Sequence, residues 1–580
     1  MLVGWGALLW RWLGSATALQ PAADWDLFRL FWLGFCGLVV PLQLISLVLP
    51  LHAAWLCVAL VVACPGLWLI FRQQPQLRVT WSVGVVLFSL LLAAVLLRAA
   101  LNVGLPVWPG AYDTDLYHFS AVRWAKDYAV VPGLANLHIR LGMSSTALLY
   151  SALVDHGLWA QRSAWLVQSL FLLVALAQWL WILFGSAHAP FRVKIFCWCS
   201  LPWLIMSLGV LRPSLYYDQL ALLLQAVVVL ELLRFPWGEA GQAAPAEQRR
   251  LMPRLALPLW LAATAFTIKP IGVATLVGAG VLPVLFLWRS VRQHRGTGGW
   301  SCGMLLGWGA PPALLLAGYL ARNAVLTGWL LFPAPVGRLP VDWAVPERPA
   351  DASLTAALQS VRGVYAVIRG WARRPDTACV AAAQAPLATW GPAWWDRNRG
   401  APAWNFLAAG LVLATLAGVC GRWRAADPPL ICAGLVTAFN LAQWFLLVPE
   451  LRFGDAFFTL AFGLGAALLW PTGTWRPFHT VLAALAVVLM GWWWCAHPAL
   501  AIPADPWQIG RAGASACKQV VVQNGQQPPL VVWTPCGDDR CGDAPLPCTP
   551  YPRDNLCLRV PGNVGHGFYV KPDAAPPAAN

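Results

Sequence analysis

The chain has 580 residues, 59% of them hydrophobic and only 11% charged, with 37 tryptophans; a soluble domain carries about 25% charged residues, so a water-soluble enzyme is excluded, as are disordered, collagen-like and coiled-coil classes. The net charge is +15, from 39 Lys and Arg against 24 Asp and Glu. The basic residues fall in short gaps between apolar blocks and not on one face, which excludes a nucleic-acid partner and makes the charge a topology signal.

The apolar blocks run about 17 to 22 residues without alternation, long enough to cross about 30 Å of hydrocarbon as helices and unlike the alternating strands of roughly ten residues in a membrane barrel. The fold class expected is an all-α polytopic membrane protein. In chain order, about thirteen spans are expected, near 30–49, 53–71, 82–101, 163–185, 195–211, 218–234, 255–269, 270–288, 302–320, 404–421, 430–448, 455–471 and 479–497. Arg72 and Arg78, Arg192 and Lys194, Arg234 to Arg254, Arg289 to Arg295, and Arg422 with Arg424 mark alternate gaps as cytoplasmic. The acidic residues then fall outside, in loops 102–162 and 321–402, around Glu450, and in the tail after His497. The first apolar run, from Leu30, has no small-residue cleavage site close behind it and reads as a retained span. Residues 144–159 are apolar enough to dip into the bilayer, but Asp155 and His156 argue for an interfacial helix.

Two domains are expected: 1–497, a transmembrane domain with its outer loops, and 498–580, a small extracytoplasmic unit rich in Pro, Gly and Asp with strand-like runs at Gln519 to Val522 and Leu530 to Trp533. Of the 15 cysteines, those at 36, 57, 64, 197, 199, 302, 420, 432 and 495 lie in or beside spans and act as small apolar residues. Cys379, Cys517, Cys536, Cys541, Cys548 and Cys557 lie outside, where disulfides are favoured over a zinc site.

The densest polar cluster is Tyr112, Asp113, Thr114, Asp115, Leu116, Tyr117, His118. Asp113 and Asp115 can converge on one divalent cation, Mg or Mn, or polarise one hydroxyl with one of them as base; alternatively either caps a helix through Phe119 to Asp127. Arg123, Asn136, His138 and Arg140 follow within the same loop, and this density of aromatic, cationic and amide groups beside a bilayer suits an anionic sugar-lipid. Arg322 with Asn323, at the outer end of the ninth span, offers a planar fork to a phosphate or snorkels to headgroups. Residues 352–374, with Arg362, Arg369, Arg373 and Arg374, read as a solvated amphipathic surface helix. The turn Glu450, Leu451, Arg452, Phe453, Gly454, Asp455 supplies another cation, or an internal salt bridge. Lys269 before Pro270 is a similar candidate, whereas Tyr216, Tyr217 and Asp218 read as an interfacial belt.

On Tyr112 to His118, Val131 to Leu141, Arg322 to Pro333, Pro449 to Gly454 and the tail run Ala544 to Pro550, the chain resembles an uncharacterised group of large bacterial membrane proteins and, more broadly, the GT-C superfamily of membrane glycosyltransferases. The superfamily resemblance implies transfer of a sugar, with inversion, from a polyprenyl-phosphate donor to a glycan, lipid or protein acceptor. It also implies a loop carboxylate as base and a site facing the periplasm from the bacterial inner membrane. Asp113 or Asp115 would then be the base. Arg322, Arg452, Lys269 and His118 would hold the donor phosphate, and Tyr112, Tyr117, Arg123, Asn136, His138, Arg140 and Glu450 would line the substrate site; no cofactor is required. A transporter or lipid-linked glycan flippase, and a surface-polysaccharide polymerase or ligase, are the competing readings of the same architecture.

Overall fold

The computed structural model describes residues 1–13, 26–73, 112–160, 163, 165–186, 189–207, 215–240, 251–293, 302–347, 353–376, 378–470, 472, 517–536, 539–542 and 544–571. Long apolar runs in hydrocarbon can satisfy their backbone groups only internally, so they fold as helices. The principal ones are α1 (Leu2–Leu13), α2 (Leu27–Ile45), α3 (Ala53–Gln73), α4 (Phe119–Asp127), α5 (Thr146–Val154), α6 (Leu170–Leu180), α7 (Phe191–Ser207), α8 (Tyr217–Leu233), α9 (Met252–Ile268), α10 (Val273–Gln293), α11 (Cys302–Thr327), α12 (Val361–Arg373), α13 (Leu387–Asn398), α14 (Ala403–Val419), α15 (Pro428–Leu447) and α16 (Asp455–Leu469). The chain is a predominantly helical membrane protein.

Of the thirteen expected spans, 82–101 and 479–497 lie outside the described residues; each of the others coincides with a helix or a run of helical turns. Among the described residues, however, five helices are long and apolar enough to cross a membrane: Leu27–Ile45, Ala53–Arg72, Leu166–Gly185, Pro270–Ser290 and Pro428–Leu447. A sixth results if α13 and α14, bent by 102°, count as one span. The difference is largely length. Helices α7, α8 and α9 have 17 residues each, about 26 Å at 1.5 Å per residue against about 30 Å of hydrocarbon. Hydropathy alone does not separate a lipid-facing span from a helix enclosed by other helices. The Leu27–Ile45 helix is 72% buried and Ala53–Arg72 only 22%, so α2 is interior while α3 turns Val58, Val61 and Phe71 outward.

Helix α1 is absent from the expected set. It packs on α2 and α3 through glycines: a Cβ on Gly34 would sit 1.8 Å from the Leu2 carbonyl oxygen, and one on Gly66 1.9 Å from that of Gly4. Small residues permit this approach of backbones, the usual basis of helix association in lipid. The segment read as an interfacial helix is likewise corrected, because every residue of α5 is buried and Tyr150 packs edge-on against Phe35 of α2. Lys126 of α4 neutralises Asp155 at 2.7 Å, so the polar residues that suggested an interface are paired inside the protein. Within the segment read as a surface helix, a short turn, Leu354–Ala357, precedes α12. Its apolar face is buried on Trp329 and Phe332, and its Arg373 donates to the carbonyls of Ala382 and Ala383.

The C-terminal unit contains two antiparallel pairs, β1 (Cys517–Val521) with β2 (Val531–Pro535) and β3 (Leu556–Leu558) with β4 (Phe568–Val570). Gln519 pairs with Trp533 and Leu558 with Phe568; the two strand-like runs of the tail thus face each other. The unit docks on the loops. Phe568 donates its N–H to Pro132 O at 2.9 Å, and Gly133, at φ +64°, would place a Cβ 2.1 Å from Phe568 O and 2.7 Å from Trp343 Cβ. Arg559 pairs with Asp342 at 2.8 Å. Cys541 and Cys548 form a disulfide, whereas Cys379, Cys536 and Cys557 are free thiols, so the expected all-disulfide set of outer cysteines is reduced.

At the C-terminal end of α8, Glu231 accepts from Arg29 and from Arg234, both at 2.6 Å, and Arg234 also reaches Asp26 at 2.6 Å. Gln178 completes the shell of Glu231 at 3.2 Å. Removing one partner from such a network strands the opposite charge and costs about 3–5 kcal/mol. Glu231→Leu is therefore expected to lower the unfolding temperature in detergent more than Arg362→Ala, which breaks only the exposed Arg362–Glu347 pair; equal effects would show that the network contributes no more than a surface contact.

Candidate active site

The acidic motif enters the fold as a π-helical turn, Thr114–His118, that runs directly into α4. Thr114 Oγ1 accepts from Leu215 N at 3.1 Å, which fixes the turn against the start of α8. Asp113 occupies the cap position of this turn without capping it through its side chain. Its carboxylate makes no hydrogen bond or ion pair with the described residues. The capping reading of the motif fails for this residue.

Residues two apart in a helical turn do not share a face, and the motif divides accordingly. Asp115 is buried, lies 3.9 Å from Arg540 of the C-terminal unit, and accepts the Gly542 N–H through its backbone oxygen at 2.7 Å. Asp113 instead meets the fields of Arg140, Asp218, Arg452 and Lys269. The expected convergence of Asp113 and Asp115 on one cation or hydroxyl is thus corrected: Asp115 ties down the C-terminal unit and Asp113 faces the charge cluster. Among the described residues no group of three or more His, Cys, Asp or Glu is placed to hold a metal ion.

The cluster is assembled from turns far apart in sequence. Lys269, at the α9–α10 turn, pairs with Asp218 of α8 at 2.6 Å and stands 3.6 Å over the Phe453 ring. Arg452 donates to Tyr216 Oη at 3.0 Å and lies 4.7 Å from the same Phe453 ring. Phe453 packs in an aromatic cluster with Trp390, Trp394, Trp444 and Phe458. Asp218 and Tyr216, read from sequence as an interfacial belt, thus belong to the cluster. The available signal was an acid in the first turn of a largely apolar helix, a placement that is expensive unless paired.

These surroundings set the ionisation of the site. Burial raises the Asp113 carboxyl above its ordinary value and Asp218 adds to the rise, while Arg140, Arg452 and Lys269 oppose it. Burial works against the Arg452 guanidinium, but Asp218, Tyr216 and Asp113 outweigh it and hold it above its usual value. His118 is pushed down to about 3, first by burial and then by Lys269 and Arg140 against the pull of Asp218. The imidazole is therefore held in its neutral form at physiological pH. Both its ring nitrogens are buried without a partner, between Tyr117 at 4.2 Å and Tyr217 at 4.7 Å.

The other expected residues divide between the site and its scaffold. Tyr117 shares a 2.9 Å hydrogen bond with Tyr217. Tyr112 and Tyr551 both donate to Asp539, forming a rim with Arg540, which lies 5.8 Å from the Tyr112 ring. Arg140 lies within the field of this rim as well as that of Asp113. His138 is buried against Tyr551 and pushed down to about 3 by burial, Arg140 and Arg553. Glu450 acts on Arg452 through its charge. Arg123 donates to Ala544 O, and Asn136 to Trp343 O at 2.9 Å and Phe568 O at 3.5 Å, so both join the C-terminal unit to the loops. Arg322 is also corrected: it bonds Ser46 Oγ at 3.0 Å, and no charged group among the described residues acts on it, which separates it from Arg452 and Lys269. Asp539, Arg540 and Tyr551 carry no sequence signal, since nothing in a Pro- and Gly-rich tail shows which of its residues turn back onto a loop some 400 positions earlier.

A family model described as a domain of unknown function (DUF8201) matches residues 1–459, a range that contains Asp113, Asp218, Lys269 and Arg452 but not the C-terminal unit. No curated protein sequence matches. Among solved structures, that of the arabinosyltransferase EmbB from Mycobacterium smegmatis, determined by cryo-electron microscopy, aligns with a TM-score of 0.28 and 16% identity over 81% of this chain. The chain spans about half the length of that protein, 47%.

The raised Asp113 value has a thermodynamic consequence. The folded state binds this proton more tightly than the unfolded chain, so wild-type stability falls as pH rises from the ordinary carboxylate value through the raised one. Asp113→Asn lacks that loss. In thermal unfolding from about pH 4 to pH 8 the variant should match wild type at the acid end and become the more stable protein as pH rises. A gap of the opposite sign would show that Asp113 is net stabilised as an anion.

Proposed function

Because the chain belongs to the DUF8201 family, whose description names no activity, we propose a function from the site: a membrane glycosyltransferase that moves a sugar, with inversion, from a polyprenyl-phosphate donor to a hydroxyl acceptor on a glycan, lipid or protein. The observation that carries this reading is one half-buried carboxylate, Asp113, that has no hydrogen bond among the described residues and stands in the fields of the cations Arg140, Arg452 and Lys269. A carboxyl raised above its ordinary value and free of hydrogen bonds among the described residues is suited to take a proton, and the cations beside it are suited to a phosphate. Asp113 removes the proton of the acceptor hydroxyl as its oxygen attacks the anomeric carbon. The bond from that carbon to the donor oxygen breaks, and its electron pair passes to the lipid phosphate. The transition state has oxocarbenium character, as in glycosidases. Arg452 and Lys269 neutralise the charge that grows on the phosphate. Asp218 positions Lys269, and Tyr216 positions Arg452. The charges gather at turns and helix ends, whereas transport places them near the bilayer midplane, which favours transfer over transport. We place the site on the periplasmic side of the bacterial inner membrane, with no cofactor required.

Native mass spectrometry of the full chain in mild detergent tests the donor site. Wild type and Asp113→Asn should retain a co-purifying polyprenyl phosphate that Arg452→Gln and Lys269→Gln lose. Release of polyprenyl phosphate from a sugar-charged donor should fall about 10²–10⁴-fold in Asp113→Asn and remain within a few-fold of wild type in Asp115→Asn. Bulk phospholipid alone in every variant, or equal turnover in Asp113→Asn and wild type, overturns the proposal.

A further inference from the structure

A second polar site lies away from the Asp113 cluster, between the C-terminal ends of α2 and α11. Arg322 is 9% exposed and makes one hydrogen bond, donated to Ser46 Oγ at 3.0 Å. Ser46 in turn donates to Gln43 O at 2.9 Å, so its one donor is already used. One turn earlier on each helix, Gln43 faces Gly318: a Cβ on Gly318 would lie 2.8 Å from Gln43 Cγ. The Gln43 side chain is fully buried, and both its amide nitrogen and its amide oxygen lack a hydrogen-bond partner among the described residues. A planar cation and an amide thus stand on adjacent turns of one helix interface. No carboxylate among the described residues acts on the cation.

Structural roles do not account for this pair. Helix C-termini attract cations, but no carbonyl at either helix end takes a hydrogen bond from Arg322. A glutamine packed only for its volume would strand two polar atoms, and buried groups of this kind are normally bonded. We propose that Arg322 and Gln43 bind a phosphate anion, in the form of a phosphodiester headgroup whose outer substituent carries a hydroxyl or ammonium donor. The guanidinium fork and the amide N–H meet phosphate oxygens, and the amide oxygen accepts from the headgroup donor. The site shares no residue with the donor site proposed above and stands independently of it.

The test is thermal unfolding of the delipidated full chain in detergent, titrated separately with dihexanoyl phosphatidylglycerol and with inorganic phosphate. Wild type should gain stability saturably with the lipid. Arg322→Gln should raise the half-saturating concentration at least about 10-fold, the loss expected when one charge-assisted hydrogen-bond donor is removed, whereas Arg362→Gln, at the exposed Arg362–Glu347 pair, should titrate as wild type. Arg322→Lys, which keeps the charge, should bind between the two. Gln43→Leu guards against misfolding of the arginine variants: a purely structural glutamine predicts an unchanged titration, and a ligating one predicts weakened binding. Saturation by inorganic phosphate at similar concentrations would support the site with free anion as its source; saturation by the lipid alone supports the headgroup. If neither probe saturates in wild type, or if Arg322→Gln and Gln43→Leu both titrate as wild type, the proposal is wrong.

Discussion

Helix α8 is held by charge at both ends, and much of the rest follows from this. Its first turn carries Asp218, paired with Lys269, and its last turn carries Glu231, shared by Arg29 and Arg234. The two acids are thirteen residues apart, about 20 Å along the helix, and the side chains from Leu220 to Leu230 between them are buried. A charge placed in that middle stretch would have no water and no counter-ion, whereas at the ends it can meet a turn or a neighbouring helix. Excellent geometry is needed for such pairs to offset their desolvation, which fixes where α2, α9 and the α9–α10 turn must lie relative to α8. Those positions define the floor of the candidate site.

The site itself is a boundary structure. On the membrane-core side are the ends of α8 and α9 and the 450–454 turn, with the aromatic cluster of Phe453. On the other side are the 112–142 loop and the C-terminal unit, which meets it at Pro132–Gly133 and at Asp115. The two acids of the motif face these two sides. Asp115 is committed to holding the C-terminal unit and Asp113 is left without a bond. One short turn therefore couples docking of the unit to the environment of the candidate base.

Two groups of cations can thus be told apart by their neighbours. Lys269 and Arg452 have acids, phenols and an aromatic face around them and form a charged cluster. Arg322 has a hydroxyl and stands beside an unbonded amide. In sequence all three are basic residues at the end of an apolar run, and hydropathy treats them alike.

Amphipathic and apolar patterning determined the class of this protein: helical, membrane-embedded, with its chemistry-bearing residues in the polar loops. It also marked the strand-like runs that pair as β1 and β2, and the Tyr112–His118 motif, because both are local properties of composition and period. The number of crossings was not determined in this way, since a 17-residue apolar helix enclosed by others has the same hydropathy as one that faces lipid. Nor could the sequence separate Asp113 from Asp115, join Arg123 and Asn136 to the C-terminal unit, or promote Asp218 and Asp539. Each of those outcomes depends on which distant segment closes against the residue: Arg540 on Asp115, Phe568 on Gly133, Lys269 on Asp218. The charge of a side chain is written in the sequence, but whether that charge is paired, buried or left open to a ligand is decided only when the helices pack, because desolvation and ion pairing act over a few ångströms and not along the chain.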